Sequence, residues 1–443
     1  MTAHVKRAFV TTLESIKQEA LAGSLEESYE FELPDNYPFD GIDSGFEAWS
    51  GLESLIESLR DAQSVGLNRE QVQTLFASTE ALQEHSIVGE ILLPSLEAFE
   101  MFSANATEVS MEALRESVKR TIQAVLKAIA QFWVRLVDFV QDVLRSTALT
   151  RGRVAVVESR VRQAYGLAPK VDKVDVSGVI LNLSSERVRA VDFRRLSQNL
   201  QTLHSQISNV RQAYVPMVTR LATEMLRVFE QWPTMDGPTW LARLNSIASN
   251  YDPARVLSAA GPLNPRLNAT FGADALMAPA LPGMKNMVII PASGDAADLS
   301  TTEVRRAAAL QNAQVVVTQL RPDSTFHEKR EMMDVLPLAN VEAIVRQVRA
   351  ILDEIDATTR DDSRRVLRDM AARMDRLARS GLSIPDGQNM IFQAGINYAR
   401  AVSRWCKEPY FSLIGHGVYV CNQTLRLCNA HLGAYLLSPA QAR

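Results

Sequence analysis

Five residues near the C-terminus carry the side chains that could bind a metal ion. They are Cys406, His416, Cys421, Cys428 and His431, and thiolate and imidazole groups are ligands that suit zinc. Their spacing fits no compact zinc module, and Cys421 and Cys428, seven residues apart, would lie two turns along one face of a helix. Buried small apolar residues show the same spacing. We therefore interpret these residues as packing residues and predict neither a metal site nor a bound cofactor.

The common catalytic motifs are missing from the sequence. It contains no G-x-x-x-x-G-K-[ST], no strand-borne G-x-G-x-x-G, no H-E-x-x-H and no G-x-S-x-G. His327 is followed by a glutamate, as in a metalloprotease helix, but the second histidine four residues after it is missing. We predict that the protein is not an enzyme. A nucleic-acid-processing factor with an unmarked active site stays open as an alternative, since catalytic groups are defined by geometry rather than by sequence order.

Basic side chains in the middle of the chain could contact phosphate groups. Guanidinium and ammonium charges are sufficient to bind a nucleic-acid backbone, and they do not read the base sequence. No groove-reading motif accompanies these residues, so the expected contact is non-specific and with double-stranded DNA. A solvated, arginine-rich helix face is the alternative interpretation of the same pattern. The candidates for phosphate contact are Lys119, Arg120, Lys127, Arg135, Arg145, Arg151, Arg153, Arg160, Arg162, Arg194 and Arg195.

A long amphipathic helix is predicted to carry most of these bases. Apolar residues from Val118 to Val143 recur in alternating steps of four and three, a seven-residue repeat kept for over three heptads. The pattern predicts one helix over 111–148 and a second that ends at Tyr165, so that 113–168 would form a helical hairpin. The wide apolar face favours the core helix of a bundle over a coiled-coil seam. Because bases lie beside that face, a membrane-surface helix also stays open.

The remaining chain divides into a mixed α/β middle region, 169–340, and a helical C-terminal region, 341–443. β-branched runs in the middle region predict short strands at 171–183, 281–291 and 314–320, which we expect to pair with one another. The predicted fold is therefore α+β and predominantly α-helical, with long amphipathic helices and a small β-sheet in the middle region.

The sequence also predicts further helices and gives information on membrane segments and on the cysteines. Helical spacing runs from Asp192 to Gln231, where Pro216 should kink or divide the helix, and again over 301–312. No stretch of 18 apolar residues predicts a membrane span, and no secretory signal is recognisable. Three cysteines cannot form a disulfide framework, so a reducing compartment is expected.

Charge is distributed unequally along the chain. Residues 1–112 contain 21 acidic and 5 basic side chains, a net charge of −16, whereas residues 113–443 contain 30 acidic and 42 basic side chains, a net charge of +12. One interpretation is a globule with one acidic and one basic face. The other is an acidic segment that neutralises, or is later removed from, a body that must lie among polyanions.

The glutamates of the acidic segment stand in a recurring local pattern. Of 17 glutamates in residues 1–112, nine follow Ser, Ala or Gly by two positions, against two of 11 in the rest of the chain. Ser95-Leu-Glu-Ala98 and Ser110-Met-Glu-Ala113 are two examples. This pattern resembles the small-x-Glu sites that prohead proteases cut in the internal head proteins of jumbo tailed bacteriophages.

The layout of the chain is similar to that family as well. The acidic N-terminal segment resembles a propeptide, and a helix rich in Ile, Trp and Phe follows it, then a strand-containing segment at 171–183 and a strand after Leu281-Pro-Gly-Met-Lys-Asn286. The resemblance implies a virion structural protein that is packaged inside the head with the genome and matured by proteolytic removal of its acidic propeptide, 1–112. The implied partners are the prohead protease, other capsid or internal head proteins and packaged double-stranded DNA.

Two cleavage positions follow from the glutamate pattern and the charge reversal. The preferred cut is after Glu112, which directly precedes both the charge reversal and the long helix, and the second choice is after Glu97. Either cut would leave a positively charged body among packaged phosphates. The expected location is the interior of the phage head, with the host cytoplasm during assembly. An ejected, membrane-active protein stays open as an alternative function.

Overall fold

Helices make up most of the chain that the computed structural model describes. The description covers 69–83, 103–185, 188–257, 261–262, 274–291, 313–319, 331–358, 361–379 and 389–436, with single helical positions between 48 and 59. The α-helices are α1 (Arg69–Gln83), α2 (Ser103–Ala164), α3 (Ile180–Leu183), α4 (Phe193–Asn209), α5 (Val215–Glu230), α6 (Gly237–Ala248), α7 (Pro253–Val256), α8 (Leu338–Thr358), α9 (Asp361–Arg379), α10 (Asn389–Lys407) and α11 (Tyr410–Leu436). The strands are β1 (Lys173–Asp175), β2 (Gly261–Pro262), β3 (Leu276–Met277), β4 (Lys285–Ile290), β5 (Gln314–Gln319) and β6 (Met332–Asp334). The predicted α+β fold, predominantly α-helical, is confirmed.

The central element is α2, a single helix of 62 residues. The break predicted after residue 148 is absent, so the prediction of a helical hairpin over 113–168 was wrong. After Val143 the heptad positions continue with Thr147 and Thr150, which are both 1% exposed, and then with Val154. The two threonine hydroxyls donate to carbonyls of the preceding turn at 3.0 and 2.9 Å. Threonine therefore fills these buried positions without ending the helix, because the helix itself satisfies the hydroxyl.

Helices from the C-terminal region pack around α2. The helices α8, α9 and α11 all contact α2; α9 borders it at residues 127–141, and α8 contacts its later half. There Glu158 pairs with Arg349 of α8 at 2.5 Å, and the rings of Phe139 and Phe411 of α11 meet edge-on with centroids 4.9 Å apart. The apolar face of α2 is thus covered by protein. Among the described helices, none is long and apolar enough to cross a membrane.

The acidic segment contributes to the hydrophobic core. Leu52 and Leu59 are 0% and 1% exposed, Val72 of α1 is 3% exposed, and all three belong to the same core cluster as the buried face of α2. Gly51 permits close approach to α1, since a Cβ there would lie 2.5 Å from a methyl carbon of Leu82. The segment that carries most of the negative charge therefore holds buried structure as well as solvated charge.

An aromatic cluster joins α5, α6 and α10. Trp240 is fully buried, stacks on Phe392 with ring centroids 5.8 Å apart, and donates from Nε1 to the carbonyl of Val228 at 2.8 Å. Gly395 lies against the same indole, and a Cβ at that position would overlap the six-membered ring of Trp240. Glycine is required here because the Trp240 indole lies directly against the backbone of α10.

Within the described part of the chain, two antiparallel sheets replace the single predicted one. β4 and β5 confirm the strands predicted near 285 and 315 and pair with each other, and β3 pairs with the other edge of β4 and with β2. The expected pairing with 171–183 was wrong, because β1 ends at Asp175 and pairs with β6 instead. The carboxylate of Asp175 accepts from the backbone N–H and the hydroxyl of Ser177, at 3.0 and 2.6 Å, and this turn leads the chain into α3.

The predicted helix from Asp192 to Gln231 is confirmed, together with its division near Pro216. The Asp192 carboxylate caps α4 by accepting from the backbone N–H of Arg195 at 2.9 Å. A π-helical segment, Val210–Tyr214, stands between α4 and α5, because Pro216 has no N–H for a regular turn. The helix predicted over 301–312 lies outside the described residues.

Candidate nucleic-acid interface

The cysteines and histidines near the C-terminus serve the packing of α10 and α11. Burial raises the pKa of the Cys421 thiol well above its usual range and that of Cys428 to about 12, so both are protonated thiols at neutral pH. Burial also lowers the pKa of His416 to about 3, and its Nε2 donates to the carbonyl of Pro282 at 2.8 Å. Nδ1 of His431 accepts a backbone N–H at 3.2 Å. Within the described ranges, no group of three or more His, Cys, Asp or Glu side chains could hold a metal ion.

Five of the predicted phosphate-contact residues stand on the solvent-facing side of α2. Arg120, Lys127 and Arg145 share one face, because spacings of seven and 18 residues are close to whole numbers of helical turns. Lys119 and Arg135 flank that face, and all five side chains are exposed. Arg120 and Arg145 contact a serine and an aspartate one turn away on the same helix, at 3.3 and 3.8 Å. These residues present positive charge to solvent along some 26 residues of helix, or about 39 Å.

Three other predicted residues hold α2 against its neighbours. Arg151 donates to Asp353 and Asp356 of α8 at 2.6 and 2.7 Å. Burial opposes its charge, but the hydrogen bonds and the charges of the two aspartates more than offset this, and the pKa of Arg151 is raised. Arg153 and Arg160 donate to asparagine side chains of α11 at 2.8 and 2.9 Å. Much of the hydrogen-bonding capacity of these three guanidinium groups is therefore used between helices.

The last three predicted residues lie at helix ends. Arg162 is exposed in the final turn of α2, and Arg194 and Arg195 are exposed in the first turn of α4. Arg195 pairs with Asp192 at 3.5 Å. The structure thus divides the predicted bases into an exposed row on α2, a half-buried set between helices and separate residues at helix ends, rather than one continuous patch.

A second row of exposed bases lies on α9 and was missed by the sequence analysis. The arginine row consists of Arg365, Arg368, Arg376 and Arg379, whose spacing places them within about a quarter of a turn of one another. Arg379 pairs with Asp375 at 2.5 Å, whereas no ion pair within the described ranges involves the other three. The signal was present in the sequence as arginines in steps of three, eight and three within a predicted helix.

A groove of about 480 Å³ separates the exposed faces of α2 and α9. Its floor is apolar, and Val134 within it is 50% exposed. Lys127 contributes to the groove from α2 and Arg368 from α9, so each basic row supplies one charge to its lining. Asp138 and Asp375 also line it.

Of the two predicted cleavage positions, the structure describes Glu112. Glu112 is exposed but lies within α2, between the buried residues Met111 and Leu114. A helical backbone closes its own hydrogen bonds, so a protease that binds extended substrate must first unwind this turn. Glu97 lies outside the described residues.

Comparison with known proteins adds one match. Residues 44–430 match the family model described as phiKZ-like phage internal head proteins. No curated protein and no solved structure matches the chain. The matched range includes the long helix, both sheets, the C-terminal helices and the later part of the acidic segment.

Proposed function

The chain belongs to the phiKZ-like phage internal head proteins, and from that premise we propose that it is packaged in the head together with the genome. Its role is that of a virion structural protein and its place is inside the phage head. During assembly it is in the host cytoplasm, where other capsid or internal head proteins are its partners. We propose no catalytic activity for it.

The observation that carries this proposal is the exposed positive charge of α2 and α9. A net charge of +12 on residues 113–443 and two rows of basic side chains suit a surface that lies against packaged DNA. Each phosphate contact releases condensed counterions, so binding of this kind needs no base recognition. Arg151, Arg153 and Arg160 support the proposal less directly, because they already bind other helices.

We propose further that a prohead protease removes the acidic segment during maturation. The cut after Glu112 would separate a net charge of −16 from the basic body. Because Glu112 lies within α2, this cut acts on chains in which the first turns of that helix are unwound. A cut after Glu97 would leave the whole of α2 intact. Both cuts detach Leu52, Leu59 and α1 covalently from the core that they help to cover.

The test is the intact mass and N-terminal sequence of the chain recovered from purified particles. A start at Ala113 or Ala98 supports maturation at the proposed positions. A start at Met1 or Thr2 refutes maturation, and a start well inside the basic body refutes both positions. Packaging with the genome is tested in the same particles, since the chain should resist added protease until the heads are opened.

The membrane-active alternative receives less support from the packing of α2. Its apolar face, with Ile122, Leu126 and Trp133 between 0% and 3% exposed, is covered by neighbouring helices. Membrane binding through this helix would require those contacts to open first. Liposome binding that disappears when the bases of α2 are neutralised would favour this alternative.

A further inference from the structure

The two basic rows run along opposite sides of the groove between α2 and α9. The α2 row consists of Arg120, Lys127 and Arg145, and Lys127 stands in the groove itself. The arginine row on α9 enters the groove at Arg368 and continues along its edge on either side. Residues distant in sequence thus form one surface, with Lys127 and Arg368 in the depression and the other bases on the exposed faces of the two helices that border it.

The charges of this surface do not cancel. Its two rows supply seven positive charges. The acidic residues on the same faces whose side chains the structure describes are Glu116, Asp138, Asp142, Asp369 and Asp375, which leaves a net charge of +2. Asp142 and Asp375 are paired with Arg145 and Arg379 of the rows. The unpaired charge therefore concentrates in the middle of the groove, at Lys127 and Arg368, and in Arg365 and Arg376 beside it.

The length and chemistry of the surface match a phosphodiester backbone. The arginine row spans 14 residues, or about 21 Å of helix, which is the length of about six base pairs of duplex DNA. Guanidinium groups bind phosphate oxygens through two parallel hydrogen bonds. Alanine and valine make up much of the lining, with Gln131 and Gln141 as its uncharged polar side chains. Contacts from the basic rows to phosphate oxygens provide affinity without sequence preference.

We propose that the groove between α2 and α9 is a binding site for the backbone of duplex DNA, with the arginine row as its principal phosphate contact. This inference rests on the proposed packaging with the genome and adds a location and residues that the sequence analysis did not include. A second copy of the chain is a poorer occupant, because it would bring the same positive charge to the groove. An acidic protein is the remaining competitor, and the experiment separates it from DNA.

The experiment compares three forms of the full-length chain. The row variant carries R365Q, R368Q and R376Q. The control variant carries R220Q, R227Q and R243Q, which removes the same charge from exposed positions on α5 and α6, outside the groove. Fluorescence anisotropy measures the affinity of each form for a labelled duplex of random sequence between about 50 and 200 mM salt. Melting curves establish that all three forms are folded.

The row variant is expected to lose affinity by at least tenfold at the lowest salt. The slope of log affinity against log salt should fall by about 2.7, because each lost phosphate contact removes about 0.9. The control variant should keep the slope of the unmodified chain. If the row variant and the control bind DNA alike, the groove is not the site, while the DNA proposal itself stands.

Three other results overturn the inference in different ways. If the unmodified chain shows no salt-dependent binding to duplex DNA, the proposed DNA contact fails and the groove site fails with it. If the row variant binds DNA normally but loses a dimer that the unmodified chain forms in sedimentation, the groove is an interface between copies. If poly-glutamate binds more tightly than the duplex at equal charge, the groove takes acidic protein rather than DNA.

Discussion

Substituting Gly395 by alanine should destabilise the protein far more than a Gly→Ala change within a helix usually does. The new Cβ overlaps the ring of Trp240, which is fully buried, stacked on Phe392 and hydrogen-bonded through Nε1 to the carbonyl of Val228. Overpacking at such a site costs about 3 kcal/mol, and displacing the indole N–H from its acceptor costs about 1 kcal/mol more. Alanine returns about 1 kcal/mol in helix propensity. The expected net loss in the free energy of unfolding is about 3 kcal/mol.

The measurement is chemical denaturation followed by tryptophan fluorescence, because Trp240 itself reports the change. The matched control is Gly433→Ala on α11, where a Cβ meets nothing within 4 Å. That variant gains helix propensity without a clash and should be more stable by up to about 1 kcal/mol. Gly417→Ala should fall between the two, since its Cβ would lie 3.0 Å from a movable methyl of Ile207. Equal stability of the Gly395 and Gly433 variants would refute this account of the aromatic cluster.

Three further predictions concern the helix contacts, the buried histidine and maturation. Asp356→Asn should lower the free energy of unfolding by about 1 kcal/mol, because it removes the negative charge that Arg151 of α2 contacts at 2.7 Å. The control is Asp138→Asn at an exposed position, which should have no measurable effect in the same denaturation assay. Burial lowers the folded-state pKa of His416 to about 3 against about 6.5 in the unfolded chain, so the unfolded state binds the proton first. Its contribution to stability is present above about pH 6.5 and should be lost at about 1.4 kcal/mol per unit as the pH falls from 6.5 towards 3. His416→Gln should flatten this dependence, and an unchanged slope would contradict the assignment. In infected cells Glu112→Gln should block the preferred cut and shift processing to Glu97, as read by the mass of the product; continued cleavage at position 112 would remove it as the recognition residue.

Local sequence was sufficient for the elements in which one pattern dominated. The heptad repeat predicted the buried face of α2, and β-branched runs predicted β4 and β5 to within a few residues. The sequence was misleading where a polar residue took a core position. Thr147 and Thr150 interrupt the apolar pattern of the sequence. Their hydroxyls donate hydrogen bonds to backbone carbonyls of the same helix, which leaves their methyl groups free to pack in the core.

The sequence could not predict where each charged side chain lies relative to its ion-pair partners. Arg145 and Arg151 belong to the same basic run, but one is exposed on α2 and the other is bound by two aspartates more than 200 residues away. Pairing across such a separation depends on how α8 docks, and no local pattern encodes that. The arginine row on α9 became a candidate surface only when α2 was seen beside it.

The sequence by itself determined the opposed charges of its two parts, the long amphipathic helix and the family resemblance. These depend on residue type and on spacing within a few turns, which a linear reading preserves. Only the tertiary structure decided which bases face solvent and which strands pair. Those properties depend on contacts between segments far apart in sequence, and packing selects among the many arrangements that local propensity leaves equally favourable.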